Sequence, residues 1–433
     1  MPNNDREIFN FLKDIFPICR SITGQGNRET LKKINEQVPI KIYEEKTGYR
    51  AYDWKVPQEW NVKDAYVADE NGNKIIDFKK NNLHLVSYSI NLNQVIDETE
   101  LQKHIYSIEN NPDAIPYITS YYKKTWGFCM RDKDRKKIKK GKYHVFIDAE
   151  HKDGSLSYGE LILPGREKKE VLLSTYICHP SMANNECSGI AVTTFLAKWL
   201  QSLKDRKYTY RIVFAPETIG PIVYLSKNIK QMQDNTIAGF VITCVGDNNK
   251  YSFLSSRHEN TLADKVARHV LNNFTQSYNT YSFLQRGSDE RQYCHPLVDL
   301  PVVSIMRSKY GTYPEYHTSL DDLNFISPEG LNGSYNILQK CIQLIENNES
   351  YINNITCEPK LTERGLHPKG WESRHTGDHK KLRQKVLDMV NVIAYSDGDH
   401  DLVSLSEKIK INFEECLEHI NLLVEKKVLT IKK

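Results

Sequence analysis

The stretch from Val171 to Gly189, VLLSTYICHPSMANNECSG, limits what this chain can fold into. Its apolar opening, Val171-Leu172-Leu173, is the kind of run that makes a strand buried on both faces of a parallel sheet. Cys178-His179-Pro180 ends the run, because proline has no N–H to continue a ladder. A polar loop with a Ser188-Gly189 turn follows. Ile190 to Leu200, IAVTTFLAKWL, then reads as a helix with an apolar face. Ligands and catalytic groups in open α/β sheets sit beyond the carboxyl ends of strands. His179 is placed there, with Asn184, Asn185 and Glu186 just behind it.

The same alternation continues. Tyr210 to Phe214 is a strand that ends at Ala215-Pro216-Glu217. Ala238 to Val245 is another, ending at Gly246-Asp247, and Pro301 to Met306 is a fourth. Helical segments lie between them, Leu262 to Phe274 among them. Strand–helix alternation predicts an α/β fold, a mainly parallel sheet with helices on both faces.

At 433 residues the chain exceeds what one core usually organises. Asp5 to Phe16 has helical spacing and Pro17 breaks it. Arg20 to Gly26, RSITGQG, reads as a helix-capping turn before a second helix, Asn27 to Val38. From Lys41 short alternating segments take over: Tyr66 to Ala68, Lys74 to Phe78 and Leu83 to Tyr88. Asn71-Gly72 between the first two is a strong hairpin signal. Tyr143 to Asp148 alternates as a strand, and Ser157 to Leu163 is expected to pair with it. The run Arg131 to Lys142, RDKDRKKIKKGK, reads as a solvated hairpin or loop. The tail from Lys380 reads as helices and a short final strand, a winged-helix pattern. Ser404 and Glu407 form its capping box, and Asn412 to Lys427 its longest helix. The expected domains are residues 1–45 with 165–360 for the α/β domain, 46–164 for a β-rich insert or lid, and 380–433 for the winged helix.

Composition excludes several classes. Hydrophobic content of 39% and charged content of 26% are those of a globular protein. A net charge of +4 gives no general argument for nucleic acid. No apolar run is long enough to cross a bilayer, so no membrane partner is expected. The N-terminal MPNNDREIFNFLKDIF lacks a basic start followed by an apolar core, and so does not read as a secretory signal. Nine scattered cysteines read as reduced thiols in a cytoplasmic protein.

ANNECSG, residues 183–189, resembles the Ala-x-Asp-Asn-x-Ser-Gly loop of zinc aminopeptidases of the bacterial leucyl-aminopeptidase type, a family that includes glutaminyl cyclase. There a His-x-Asp precedes the loop. Two further segments match in order: FAPETIG, residues 214–220, resembles Phe-x-x-Glu-Glu-x-Gly, and YHTSLDD, residues 316–322, resembles Tyr-His-Thr-x-x-Asp. The resemblance covers about Val171 to Leu331. It is closer still to a group of bacterial aminopeptidase-like proteins with an N-terminal insert and a C-terminal winged helix, encoded among surface-polysaccharide or flagellin-modification genes. These share a Pro-x-Cys-Arg-Ser-x-Thr-Gly segment.

The resemblance implies a metal-dependent hydrolase of aminopeptidase type, with zinc, and one ion rather than two. His179 and His317 are the nitrogen ligands it carries over, and Glu217 the general base. The departures are specific. The family's second Glu is Thr218 here, its bridging Asp is Asn185 with Glu186 next to it, and the Asp of His-x-Asp is Ser181. Its later Asp matches Cys244 or, with a small shift, Asp247. The expected metal set is therefore His179, Asn185, Glu186, Asp247 and His317, with Glu186 or Asp247 as the carboxylate. Asp289, Glu290 and Arg291, in GSDERQY, resemble a pocket-lining segment. They are expected to bind substrate through an amine or a carboxylate, or else to form a surface ion cluster. Cys178, Cys187 and Cys244 lie near, but no paired spacing supports a thiolate site.

The expected substrate is a small peptide or an aminoacyl-modified metabolite, its amide next to a free amine or carboxylate. An alternative from another class is a non-catalytic binding or assembly protein that has kept the fold and lost ligands. The candidate recognition helix, FEECLEHINLLVE, is acidic and meets phosphate with the wrong sign. Docking or homo-oligomer formation is expected of the winged helix rather than DNA binding.

Overall fold

The computed structural model describes residues 4–366 and 377–432. Met1 to Asn3 and Lys433, the extreme ends of the expected first and last domains, lie outside the described residues. The chain divides into two units, residues 1–264 with 278–336, and residues 265–277 with 337–433. No helix among the described residues is long and apolar enough to cross a membrane.

The first unit is built on a sheet that has eight strands among the described residues: β1 (Lys41–Lys46), β2 (Ser155–Leu163), β3 (Glu170–Tyr176), β4 (Thr209–Ala215), β5 (Thr236–Val241), β6 (Tyr251–Leu254), β7 (Tyr278–Tyr281) and β8 (Val302–Met306), in the order β1-β2-β4-β3-β5-β8-β6-β7. The four central strands, β4-β3-β5-β8, are parallel. Antiparallel pairs flank them, β1 with β2, β2 with β4 and β6 with β8. Every residue of β3 and β4 is buried, as a strand covered on both faces requires. The covering helices include α1 (Asn4–Ile15), α2 (Gln25–Gln37), α3 (Ser188–Ser202) and α4 (Ile219–Asn235). α3 lies so close to the sheet that a Cβ on Gly189 would stand 2.4 Å from Ile242 O. Only glycine allows that approach, and it draws the loop 179–187 down over the strand ends.

A second, four-stranded antiparallel sheet lies in the segment between β1 and β2, in the order Lys74–Asp77, Glu59–Ala68, Lys142–Lys152, Leu92–Asp97. Its first hairpin is the one Asn71-Gly72 predicts, with Gly72 at φ 81° and Tyr66 opposite Asp77. Two expectations differ. The strand containing Tyr143 to Asp148 does not pair with Ser157 to Leu163, because β2 crosses into the main sheet between β1 and β4. Leu83 to Tyr88 holds a short 3₁₀ turn, Asn82–His84, capped by Asn81. In the basic run, Asp132–Arg135 is one helical turn laced by Lys136–Asp132 and Lys137–Asp134 ion pairs.

The second unit contains a three-stranded sheet, Asp397–Asp401, Ser350–Asn353 and Leu429–Ile431, with helices Gly377–Tyr395, Leu402–Ile409 and Phe413–Glu425. Its first strand precedes Lys380. Asp401 caps the helix expected to start at Ser404, accepting from Ser404 N at 2.9 Å. The longest helix of the three is Gly377–Tyr395, at 19 residues.

Candidate active site

The carboxyl ends of the four parallel strands converge. His179 follows β3, Glu217 follows β4, Cys244 follows β5, and His317 lies in the loop beyond β8. Four residues there hold φ angles foreign to L side chains: Ser181 at 34°, Thr218 at 65°, Cys244 at 53° and His317 at 54°. For β-branched Thr218 this is a genuine outlier, and such strain survives where the surroundings over-determine the backbone. Here each kinked residue lies at or beside a side chain of the site.

His179 is 3% exposed and held on both sides. Its Nδ1 lies 2.7 Å from Glu186 Oε2. The same oxygen accepts the backbone N–H of Cys178 at 2.9 Å and of His179 at 2.5 Å. The other oxygen of Glu186 accepts from Arg20 Nε at 2.6 Å. Arg20, wholly buried, also donates to His179 O at 2.9 Å, Ile15 O at 2.6 Å and Cys187 Sγ at 3.0 Å. Burial alone would lower the pKa of His179. The hydrogen bond and charge of Glu186 prevail and hold it above its ordinary value.

The Nε2 edge of His179 faces Glu217 Oε2 at 3.8 Å. Glu217 Oε1 accepts from Ser288 Oγ at 2.8 Å. Burial raises the Glu217 pKa against the pull of His179, Ser288 and Arg291. Glu217 does not cap α4; its side chain, 23% exposed, lines the cavity. The His317 ring lies 5.2 Å from that of His179, and its Nε2 is buried without a hydrogen-bond partner. Burial and the nearby His179 push His317 down to about 3, so it is a neutral imidazole with a free lone pair at physiological pH.

Asn185 is oriented by a chain of donors. Thr243 Oγ1 donates to Asn185 O at 2.7 Å, so the Tyr176 hydroxyl, 2.5 Å from Thr243, donates in turn and accepts from Asn185 Nδ2 at 2.8 Å. Asn185 Oδ1 is thereby left buried and unpartnered. The two Asn185-flank backbone amides, of Asn184 and Asn185, bind Asp321 at 2.6 and 2.9 Å.

His179, Glu217 and His317 edge a cavity of about 350 Å³, lined also by Thr218 and Arg291, and by Trp54, Tyr117, Tyr121 and Tyr122 from the segment between β1 and β2. Tyr117 lies 5.1 Å from His179 and 5.2 Å from His317 between ring centroids, and its hydroxyl meets that of Tyr121 at 2.7 Å.

Two expected ligands are occupied elsewhere. Asp247 accepts from Asn184 Nδ2, Asn249 N, Ser308 N and Ser308 Oγ, which spends its lone pairs on the loop it ties together. Glu186 serves His179 and Arg20. A donor from Cys178, His179 and Glu186 does fall within 4.8 Å of each of the others. That closeness is the His179–Glu186 hydrogen bond, with Cys178 Sγ 3.5 Å from the same Nδ1 of His179. Burial also holds the Cys178 thiol well above its ordinary pKa, and its sulfur accepts from Glu217 N at 3.2 Å.

Of the expected substrate-binding trio, Arg291 lines the cavity and donates to Thr218 Oγ1 at 2.9 Å. Asp289 accepts Thr218 N at 2.7 Å and keeps its second oxygen buried and unpartnered. Glu290 turns to Tyr310 and to the amides of Gly287 and Ser288. Sequence reasoning missed Arg20, Ser288 and the tyrosines. Arg20 left a signal in the ICRSITG segment read as a capping turn, and Ser288 in GSDERQY, the segment that resembles a pocket lining.

The family described as Domain of unknown function (DUF4910) matches residues 9–348. The chain belongs to that family. A winged helix-turn-helix family matches residues 349–431 of this DUF4910 protein. It is 43% identical over 408 residues, 94% of its length and 92% of the relative's, to a Clostridium acetobutylicum protein named "Putative polysaccharide biosynthesis protein with aminopeptidase-like domain". A crystal structure from the same organism, titled as that of a "putative peptidase", superposes with TM-score 0.92 at 40% identity, covering 99% of this chain and 97% of that one. A zinc aminopeptidase from Bacillus subtilis matches with TM-score 0.57 at 11% identity, over 78% of this chain and 94% of its own. Over that share of its length the chain has the fold of zinc aminopeptidases.

Proposed function

We propose that this DUF4910 protein is a metal-dependent hydrolase of aminopeptidase type, cleaving an amide bond in a small peptide or an aminoacyl-modified metabolite. The observation that carries the reading is the meeting of His179 Nε2, His317 and the Glu217 carboxylate at one cavity. The residues fit zinc: two imidazoles with nitrogens free for an ion, and a buried Asn185 Oδ1 that no group among the described residues satisfies. His179 and His317 would hold the ion, with Asn185, in the loop that follows His179, offering its open Oδ1 as an oxygen donor. Bound there, zinc supplies a Lewis acid for the scissile carbonyl and for the attacking water.

The chain's own groups do the rest. Glu217 takes the proton of the attacking water and returns it to the departing amine, a task that a carboxylate raised by burial suits. Ser288 holds its other oxygen. Arg291 reaches the cavity as a cation able to bind a carboxylate bidentately. The aromatic wall offers flat apolar faces to a substrate ring or side chain. The polysaccharide biosynthesis in the name of the Clostridium relative favours an aminoacyl or amide group carried on a sugar. The winged helix serves docking or self-association in this reading, since Glu414, Glu415, Glu418 and Glu425 stand on its last helix.

Protein reconstituted with zinc and freed of excess should carry close to one ion per chain, and His179→Ala and His317→Ala should each lose most of it. Hydrolysis of a panel of aminoacyl amides should stop with chelator and return with zinc. Wild-type protein that stays metal-free after reconstitution would instead favour a binding or assembly role.

A further inference from the structure

The N-terminal turn reaches into the candidate metal centre from the far side of His179. Arg20 is 159 residues away in sequence from His179 and 166 from Glu186, yet all three are buried in one network. The guanidinium is anchored by Ile15 O at 2.6 Å and Cys187 Sγ at 3.0 Å, so it cannot follow Glu186 if the carboxylate turns. Its Nε bridges Glu186 Oε1 at 2.6 Å and His179 O at 2.9 Å. Glu186 is thus pinned at one oxygen, and the other points at His179 Nδ1 at 2.7 Å. Ser181, two residues beyond His179, is turned the other way, to Phe16 O at 2.9 Å and Asn82 Nδ2 at 2.7 Å. It offers the imidazole nothing.

We propose that Arg20 and Glu186 act in series as positioning residues for His179, keeping the proton on Nδ1 and the Nε2 lone pair turned into the cavity, so that zinc affinity is set in part from the turn between α1 and α2. This rests on the reading of the cavity as a zinc site. The physical reason is twofold. A carboxylate on the outer nitrogen fixes ring orientation and tautomer and makes the inner nitrogen a better donor. A planar guanidinium on the other oxygen fixes the direction in which the carboxylate points, as a flexible point charge would not. The device also explains why Glu186 is absent from the ligand set although it follows Asn185 directly.

The test is the zinc dissociation constant of the full chain, by competition with a chromophoric chelator, on variants shown by circular dichroism to be folded at the working temperature. Glu186→Gln and Arg20→Met should each weaken zinc by about 10- to 100-fold. The double variant should be no weaker than the poorer single one, because the two act through one path. Arg20→Lys, which keeps the charge and loses the fork, should fall between wild type and Arg20→Met. A purely structural role would lower melting temperature and leave the affinity of the folded protein unmoved. Should the single variants fail to fold, ¹⁵N-histidine NMR of the zinc-loaded wild type decides: the His179 proton is expected on Nδ1. Unchanged affinity in both single variants, additive losses in the double variant, or a proton on Nε2 overturns the proposal. A wild type that binds no zinc removes the metal reading itself, and this inference with it.

Discussion

The two histidines that face the cavity stand in opposite surroundings. On the His179 flank the donors and acceptors are matched: Glu186 receives four hydrogen-bond donors, and Arg20 behind it is anchored to backbone and sulfur. Elsewhere around the strand ends buried atoms are left open, with His317 Nε2, Asn185 Oδ1 and Asp289 Oδ2 unpartnered among the described residues. Buried polar groups are ordinarily satisfied, and each exception asks for an explanation. The contrast teaches a division of labour. The matched flank is scaffold, built by folding alone, and in the proposed reading the open atoms are where an ion and a substrate would complete the structure. Glu217 stands at the border, one oxygen held by Ser288 and the other free.

The largest expected effect is at that border. Glu217→Gln keeps the shape and removes the basicity, so turnover should fall on the order of 100-fold or more while zinc stays. Steady-state kinetics with metal analysis checks both halves. An equally active variant breaks the assignment of the base, and a variant that loses zinc makes Glu217 a ligand.

How much of this could be read in the sequence divides along the same line. His179 and Glu217 each stand in a local motif at a strand end, where residue order and strand position coincide, His317 stands in a motif of the loop beyond β8, and the structure brings all three to one cavity. The α/β alternation was legible for the same reason. What escaped depends on distant partners. Nothing near Arg20 says that its guanidinium meets Glu186, and nothing near Asp247 says that Ser308 will take its lone pairs. Adjacency misled at Ser157 to Leu163, which follows its expected partner after a tight turn but lies inside a different sheet, between β1 and β4. Thr218 looks like a lost ligand in the sequence. In the structure its strained φ of 65° turns the chain behind Glu217, and its N–H is taken by Asp289.

The next effect in size concerns the open atoms. Asn185→Asp adds a charge where an unpartnered oxygen now stands, and zinc should dissociate roughly 10-fold more slowly in a chelator-exchange assay, as an ionised ligand binds a cation more strongly than an amide. No change would mean that Oδ1 faces away from the ion. Zinc itself should raise the melting temperature of wild type and do so less in His317→Ala, since an ion that binds the native state stabilises it by mass action. Equal shifts in the two proteins would place the ion elsewhere. The smallest effect belongs to Ser288→Ala, which removes one hydrogen bond from Glu217 and should cost about 2- to 10-fold in turnover with zinc content unchanged, the size of one such bond. A loss as large as that of Glu217→Gln would give Ser288 a larger part than holding an oxygen.

The most direct measurement is an anomalous difference map at the zinc edge from crystals of zinc-reconstituted protein. The account predicts one strong peak within bonding distance of both His179 Nε2 and His317 Nε2, with Glu186 still hydrogen-bonded to His179 Nδ1. A map without a peak there, or with the ion on Cys178 and Glu186, would contradict it.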